Sequence, residues 1–292
     1  MKKFLLRCGF FLLLGILFFG GNMLINAYLY RSKPMPIAKT TYLIAGDSRS
    51  QRSVDPSILG SGRNISQTAE PYYITYHKLQ KIYNSWTPDT LILSFSTAGI
   101  SEFNDYKLSD PQWNHEMARR YYPFMQLLDY SKKIDVDYKT IAQVWFKQTA
   151  YMPRSHHFNY MVEYENSPRQ DVSNWEESAH RHFYRDGRQL GHSQISIDYL
   201  DSIIRMHQRQ GVPVVLVNPP VYAKYRAMTP TPLLQKYQEL VQKYENKVLI
   251  FDQSQIDYPD SMFIDADHLN QPGAERFTTE LKQFLNQAAH KP

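Results

Sequence analysis

The hydrophobic pattern of this chain changes character near residue 34. From Cys8 to Tyr30 there is no side chain charged at neutral pH, and the 23-residue run is bounded by Lys2, Lys3 and Arg7 on one side and Arg31 and Lys33 on the other. As a helix such a run is long enough to cross a hydrocarbon core of about 30 Å, and Tyr28 and Tyr30 suit its interfacial belt. Residues 1–33 are therefore read as an N-terminal transmembrane anchor. A cleaved signal peptide is the alternative, but the run exceeds the usual apolar core of about 7–15 residues and no small-x-small site follows it. The basic residues before the run slightly outweigh those after it, which predicts the N-terminus inside and residues 34–292 on the extracytoplasmic side.

Beyond a linker holding Pro34 and Pro36, the pattern becomes short apolar runs alternating with amphipathic ones. Thr41–Ala45, Leu91–Phe95, Val212–Val217 and Lys247–Phe251 read as strands. Residues 71–84 place Tyr73, Tyr76, Leu79 and Ile82 on one helical face, and 195–209, 231–245 and 272–288 read as further helices. Strands alternating with helices predict an α/β fold, a three-layer, doubly wound parallel sheet with helices on both faces. Residues 101–193 break this rhythm. They carry helical patches at 114–131 and 138–150, no clear strand, and many aromatics, and are read as an insertion covering one end of the sheet.

Composition sharpens this picture in two ways. The chain has 292 residues, a formal charge of +5 and a sequence pI near 9. That suggests a nucleic-acid partner until the charge is located. Residues 1–33 hold five basic residues and no acid, leaving 28 basic against 28 acidic in the rest, so no nucleic-acid partner is expected. The single cysteine, Cys8, excludes an internal disulfide framework and a cysteine-rich zinc site. His156-His157 and His180-Arg-His182 lack carboxylates at ligand spacing and read as solvated loop residues, so neither a metal nor a cofactor is expected. The aromatics of the insertion could stack on sugar rings but read first as core or interface, and Asn64-Ile-Ser66 is a formal glycosylation sequon.

The chemistry concentrates at strand exits. Gly46-Asp47-Ser48 follows the first strand, where an open α/β sheet binds its ligands. A serine needs a histidine to take its proton and a carboxylate to orient that histidine. Asp265-Ala-Asp-His268 supplies both on one loop after the fourth strand.

With Ile44-Ala-Gly-Asp-Ser48 as first block and Asp265-Ala-Asp-His268 as last, the chain resembles the SGNH or GDSL-like hydrolase superfamily over about residues 41–100 and 195–288. The resemblance implies a flavodoxin-like fold, Ser48 as nucleophile, His268 as general base and Asp265 as its orienter. It also implies an oxyanion hole made by the Ser48 N–H, a second-block glycine and a third-block asparagine. Here the second block aligns near Asn64–Pro71 and puts Ala69 at the glycine, and the third, Ser94–Gly99, has no asparagine. Ser96, Thr97 and Asn218 are the candidate replacements, Asn218 because Asn-Pro-Pro follows the third strand. The anchor, Ser48, the Asn-Pro-Pro-Val-Tyr segment and the terminal Asp-x-x-His are also similar to SGNH-like proteins of bacterial envelope acyl transfer, such as the D-alanyl-lipoteichoic acid transfer protein and the alginate acetylation proteins. That implies an acylated glycan or lipid substrate and leaves room for a membrane-embedded acyltransferase partner. Two functions stay open: a membrane-anchored serine esterase or O-acyltransferase, and a catalytically weak scaffold.

Overall fold

The computed structural model describes residues 1–32, 35, 37–151, 164 and 166–289, without the side chains of Tyr30, Arg31 and Ala289. Helix α1 (Lys2–Ser32) precedes β1 (Tyr42–Ala45), α2 (Ser48–Ser53), α3 (Pro56–Leu59), β2 (Gly62–Asn64), α4 (Tyr72–Tyr83) and β3 (Thr90–Ser94). A helical stretch follows with α5 (Asn114–Tyr121), α6 (Leu127–Tyr130), α7 (Tyr138–Thr149) and α8 (Trp175–Phe183), then a small hairpin, β4 (Tyr184–Arg185) and β5 (Arg188–Gln189). The chain continues with α9 (Gln194–Gln210), β6 (Val214–Asn218), α10 (Ala223–Ala227), α11 (Thr231–Tyr244), β7 (Leu249–Asp252), the hairpin β8 (Phe263–Asp265) and β9 (His268–Leu269), and α12 (Gln271–Ala289).

Two compact units result. One comprises Met1–Pro36 with Tyr106–Tyr160, the other Ile37–Asp105 with Met161–Pro292.

The larger unit is built on a five-stranded sheet of order β2-β1-β3-β6-β7, every pairing parallel. This is the doubly wound α/β architecture that the alternating pattern predicts, and all four predicted strands are present within two residues of their expected bounds. Strand alternation explains the layers. Ile44, Ile92, Val215 and Val217 face a core closed by Phe277, Leu281 and Leu285 of α12, together with Val54 and Leu59. The intervening residues Leu43, Leu91, Leu93 and Leu216 are equally buried. Phe95 stacks on Tyr237 of α11 at 4.6 Å between ring centroids, and α4 packs beside α9. Thr278 of α12 donates to Ser53 O at 3.0 Å and accepts from Asp55 N at 2.9 Å, which fixes the end of α2 against α12. The short strand β2 has no apolar period, because it is a three-residue edge whose backbone alone pairs with β1. The hairpin β4–β5 adds strand to a region whose sequence shows none.

In the smaller unit α5 and α7 bury Met117, Ala118, Tyr121, Ile141 and Val144 between them. Asn114 Nδ2 donates to Asp137 Oδ2 at 2.9 Å, and Asp137 caps α7 by accepting from Thr140 N. Helix α1 is uncharged and mostly exposed along its apolar stretch, with mean hydropathy 2.1 over its most apolar window. It could cross a membrane as an anchor or be a signal sequence.

Candidate active site

The nucleophile candidate is placed by a tight strand-to-helix turn. Gly46 takes φ +133°, a conformation that disfavours any side chain, and a Cβ there would collide with Ser94 Cβ of β3. Asp47 then caps α2: one carboxylate oxygen accepts both Arg49 N at 3.1 Å and Ser94 Oγ at 2.8 Å. Ser48 is the first residue of α2, half-buried, at the carboxyl end of β1, and its N–H is one of those a helix start leaves without an intrahelical acceptor.

The β8–β9 hairpin brings the opposite end of the chain to this point. Asp265 and His268 are register partners across it. One Asp265 oxygen accepts Asp267 N at 3.1 Å and His268 N at 3.0 Å, so the carboxylate is held before it meets the ring. Nδ1 of His268 then lies 2.8 and 2.9 Å from the two Asp265 oxygens. A carboxylate only accepts, so Nδ1 carries the proton and Nε2 is left as acceptor. Nε2 lies 2.7 Å from Ser48 Oγ, and the hydroxyl therefore donates to the ring. The arrangement can lower the cost of removing the serine proton, which is what nucleophilic acyl chemistry requires.

Behind this relay lies a second buried group with no assigned role in the sequence. Asp267 is buried, with Arg49 Nε 3.6 Å and His182 Nδ1 3.9 Å from one oxygen and His268 Nδ1 3.7 Å from the other. Arg49 Nη2 donates to Tyr225 Oη at 2.6 Å, and Tyr225 Oη lies 2.8 Å from His182 Nδ1. Burial opposes the charge on Asp267, but attraction to His268 and His182 in their protonated forms, and to Arg49, pulls its carboxyl well below the usual range. Burial likewise disfavours the charged form of His268. The anions Asp267 and Asp265 outweigh it, so the imidazole sits above its ordinary value. Asp265, Asp267 and His268 offer donor atoms within 4.8 Å of one another, a set a cation could join. Asp265 and His268 are hydrogen-bonded to each other and, through His268, to Ser48, which describes a proton relay instead. Of the other histidines, His182 belongs to this cluster, His180 is exposed beside Tyr184, and His156 and His157 lie outside the described residues.

The oxyanion candidates fare differently. Ala69 has φ +59°, the left-handed conformation for which glycine is the usual residue, so the backbone of that block is kept although its residue type is not. The loop before it is tied down by a fully buried ion pair: Lys78 Nζ donates to Glu70 Oε2 at 2.5 Å and to Ile65 O at 2.7 Å, and Thr75 Oγ1 donates to Glu70 at 2.7 Å. Thr97 is half-buried in the turn after β3, beside Ser96, whose Oγ accepts from Gly99 N at 3.1 Å. Asn218 ends β6 with its amide nitrogen donating to Tyr237 Oη at 2.9 Å, and Tyr237 donates onward to Asp252 at 2.8 Å. Asn64 donates its side-chain amide to Ser50 O and Val54 O, each at 2.9 Å, and is buried, which makes the formal sequon unusable in the folded chain.

No family model matches the chain, and no curated protein does. Among solved structures it is similar to a GDSL-like lipase from Bacteroides thetaiotaomicron, with 11% identity and a TM-score of 0.41 over 91% of this chain and 98% of that one. It is also similar to a lipase/acylhydrolase from Enterococcus faecalis, at 13% identity and TM-score 0.37 over 85% and 96%, and to an acetyl xylan esterase from the rumen bacterium Butyrivibrio proteoclasticus, at 11% and 0.34 over 88% and 66%. At these values the likeness carries no functional argument, and what the residues themselves supply is a serine–histidine–aspartate relay at the carboxyl edge of a five-stranded parallel sheet.

Proposed function

We propose that this chain is a membrane-anchored serine esterase or O-acyltransferase acting on acylated cell-envelope carbohydrate or lipid. The observation that carries the reading is the 2.7 Å contact from Ser48 Oγ to His268 Nε2, with Asp265 on the far side of the ring. In this reaction Ser48 Oγ attacks the acyl carbonyl while His268 takes its proton. The tetrahedral intermediate collapses as the imidazolium returns that proton to the departing alcohol, leaving acyl-Ser48. Water or a sugar hydroxyl, deprotonated by His268, then attacks the acyl-serine and releases free acid or a new ester. The Ser48 N–H, the Ala69 backbone and the Thr97 side chain are the oxyanion donors this mechanism would draw on.

The third block without its asparagine, together with the Asn218 amide nitrogen already engaged by Tyr237, favours a second reading, in which the fold is a weakly catalytic scaffold for a glycan or a membrane acyltransferase. Losing one oxyanion donor costs about 10²–10³ in rate. A fluorophosphonate probe separates the two. Wild type is expected to be labelled and Ser48→Ala to stay unlabelled, whereas an unlabelled wild type, or equal labelling of both, removes the nucleophile. Mass spectrometry of the Ser48 peptide after incubation with candidate acyl donors, with and without a sugar acceptor, then distinguishes hydrolysis from transfer.

A further inference from the structure

The apolar stretch of α1 contains two asparagines, Asn22 and Asn26, one turn apart on the same helical face. A polar amide in a membrane segment is costly unless it finds a partner. Both are buried, and both find the same one: the carboxyl end of α7. Asn22 Nδ2 donates to Ala150 O at 3.3 Å, and Asn26 Nδ2 donates to Thr149 O at 2.7 Å and Tyr151 O at 3.4 Å. The carbonyls at a helix end have no acceptor role left inside the helix, so the two amide nitrogens supply the donors that this end of α7 lacks. One turn earlier on α1, Phe19 lies 5.7 Å from Phe146 and 5.9 Å from Tyr151 between ring centroids.

Depth decides what these rings meet. If the hydrocarbon begins just after Arg7 and takes about 20 residues, it ends near Ala27, so Asn22 lies about 7 Å and Phe19 about 12 Å inside its boundary. The end of α7 is docked against that part of α1. Its outward surface suits such a place. Beyond Ser32, six large hydrophobic side chains are exposed among the described residues, and four of them, Leu128, Tyr138, Phe146 and Tyr151, fall within residues 128–151. Lys139 and Lys147 are exposed on the same helix, the aromatic and basic mixture of an interfacial segment.

We propose that the carboxyl end of α7, with Phe146 and Tyr151, is a membrane foot that enters the edge of the bilayer crossed by α1, held there by Asn22 and Asn26. The inference rests on the membrane reading of α1, and its occupant is lipid. The full-length chain in a Cys8→Ser background, reconstituted into phosphatidylcholine vesicles containing phosphatidylglycerol, tests it. An environment-sensitive fluorophore is placed singly at Phe146→Cys, at Lys147→Cys, at Leu17→Cys within α1 and at exposed Gln255→Cys. Lipid-borne nitroxides are expected to quench the Phe146 and Lys147 labels several-fold more than the Gln255 label. Quenching at Leu17 with none above the Gln255 level at either α7 position overturns the foot alone. Absence of quenching at Leu17 as well overturns the anchor and the foot together. Adding Asn22→Leu and Asn26→Leu is expected to lower quenching at Phe146 and Lys147 while sparing Leu17, and unchanged quenching there overturns the role of the two asparagines.

Discussion

Two carboxylates face His268, and they act differently. Asp265 meets Nδ1 directly and fixes its tautomer, whereas Asp267 stands further off and acts through its charge. His268 must be neutral to accept the serine proton, and its raised value means that activity is lost on acidification from a pH above the ordinary histidine value of about 6.5. In Asp267→Asn the imidazolium loses an anion, so the neutral ring persists to lower pH. The acid limb of kcat/KM is expected to move down in pH while the plateau falls, and an unmoved limb would exclude this role. Asp265→Asn should instead cost on the order of 10⁴-fold in kcat, because the ring loses the acceptor that holds its tautomer. Ser48, Asp265 and His268 are legible as two short motifs. Arg49, His182 and Tyr225 are not, since Arg49 and His182 converge on Asp267, and Tyr225 on both of them, from positions that share no spacing.

The second block shows how an element can keep its backbone while changing its residues. Ala69 in the left-handed region carries a strain of about 1–2 kcal/mol that glycine avoids, partly offset by the extra freedom of glycine in the unfolded chain. Ala69→Gly is expected to retain activity at equal or slightly higher stability, and Ala69→Val to lose both, measured by denaturant unfolding and ester hydrolysis. Helix α4 buries Tyr73, Leu79 and Ile82 as its period predicts, with Tyr76 half-buried, but it also buries Lys78 completely. Periodicity has no means of showing that, because the position is set by Glu70 on the preceding loop. Breaking such a buried pair costs about 3–5 kcal/mol, much of it the uncompensated charge left behind. Lys78→Met should therefore lower the unfolding free energy by that order, and Glu70→Gln with Lys78→Met should recover a large part of it. A double variant no more stable than Lys78→Met would show that the unpaired carboxylate is not the source of the loss.

At the scale of the molecule, the charge reading and the α1 reading are one observation. The excess of +5 lies in the first 33 residues, so the basic pI describes the flanks of an apolar helix rather than a basic surface. We expect the expressed protein to remain in the membrane fraction after an alkaline carbonate wash, with its N-terminal residues retained on intact-mass measurement. A new N-terminus beyond Tyr30 would identify a cleaved signal instead. The region 101–193 is not one body: residues 106–160 cluster with the N-terminal helix, while α8 and the β4–β5 hairpin belong with the sheet and bring His182 to Asp267.

The sequence by itself determines the apolar helix, the α/β alternation, the parallel sheet and the Ser48, Asp265 and His268 motifs. Each of these is written in local spacing: uncharged length, a period of two or 3.6, or residues within a few positions of one another. Only the tertiary structure decides that Ser48 and His268 touch across 220 positions, that Asn218 is spent on Tyr237, and that Asn22 and Asn26 cap α7. Those contacts are made between groups whose separation along the chain carries no signal, and they are selected by the need of buried polar atoms for partners.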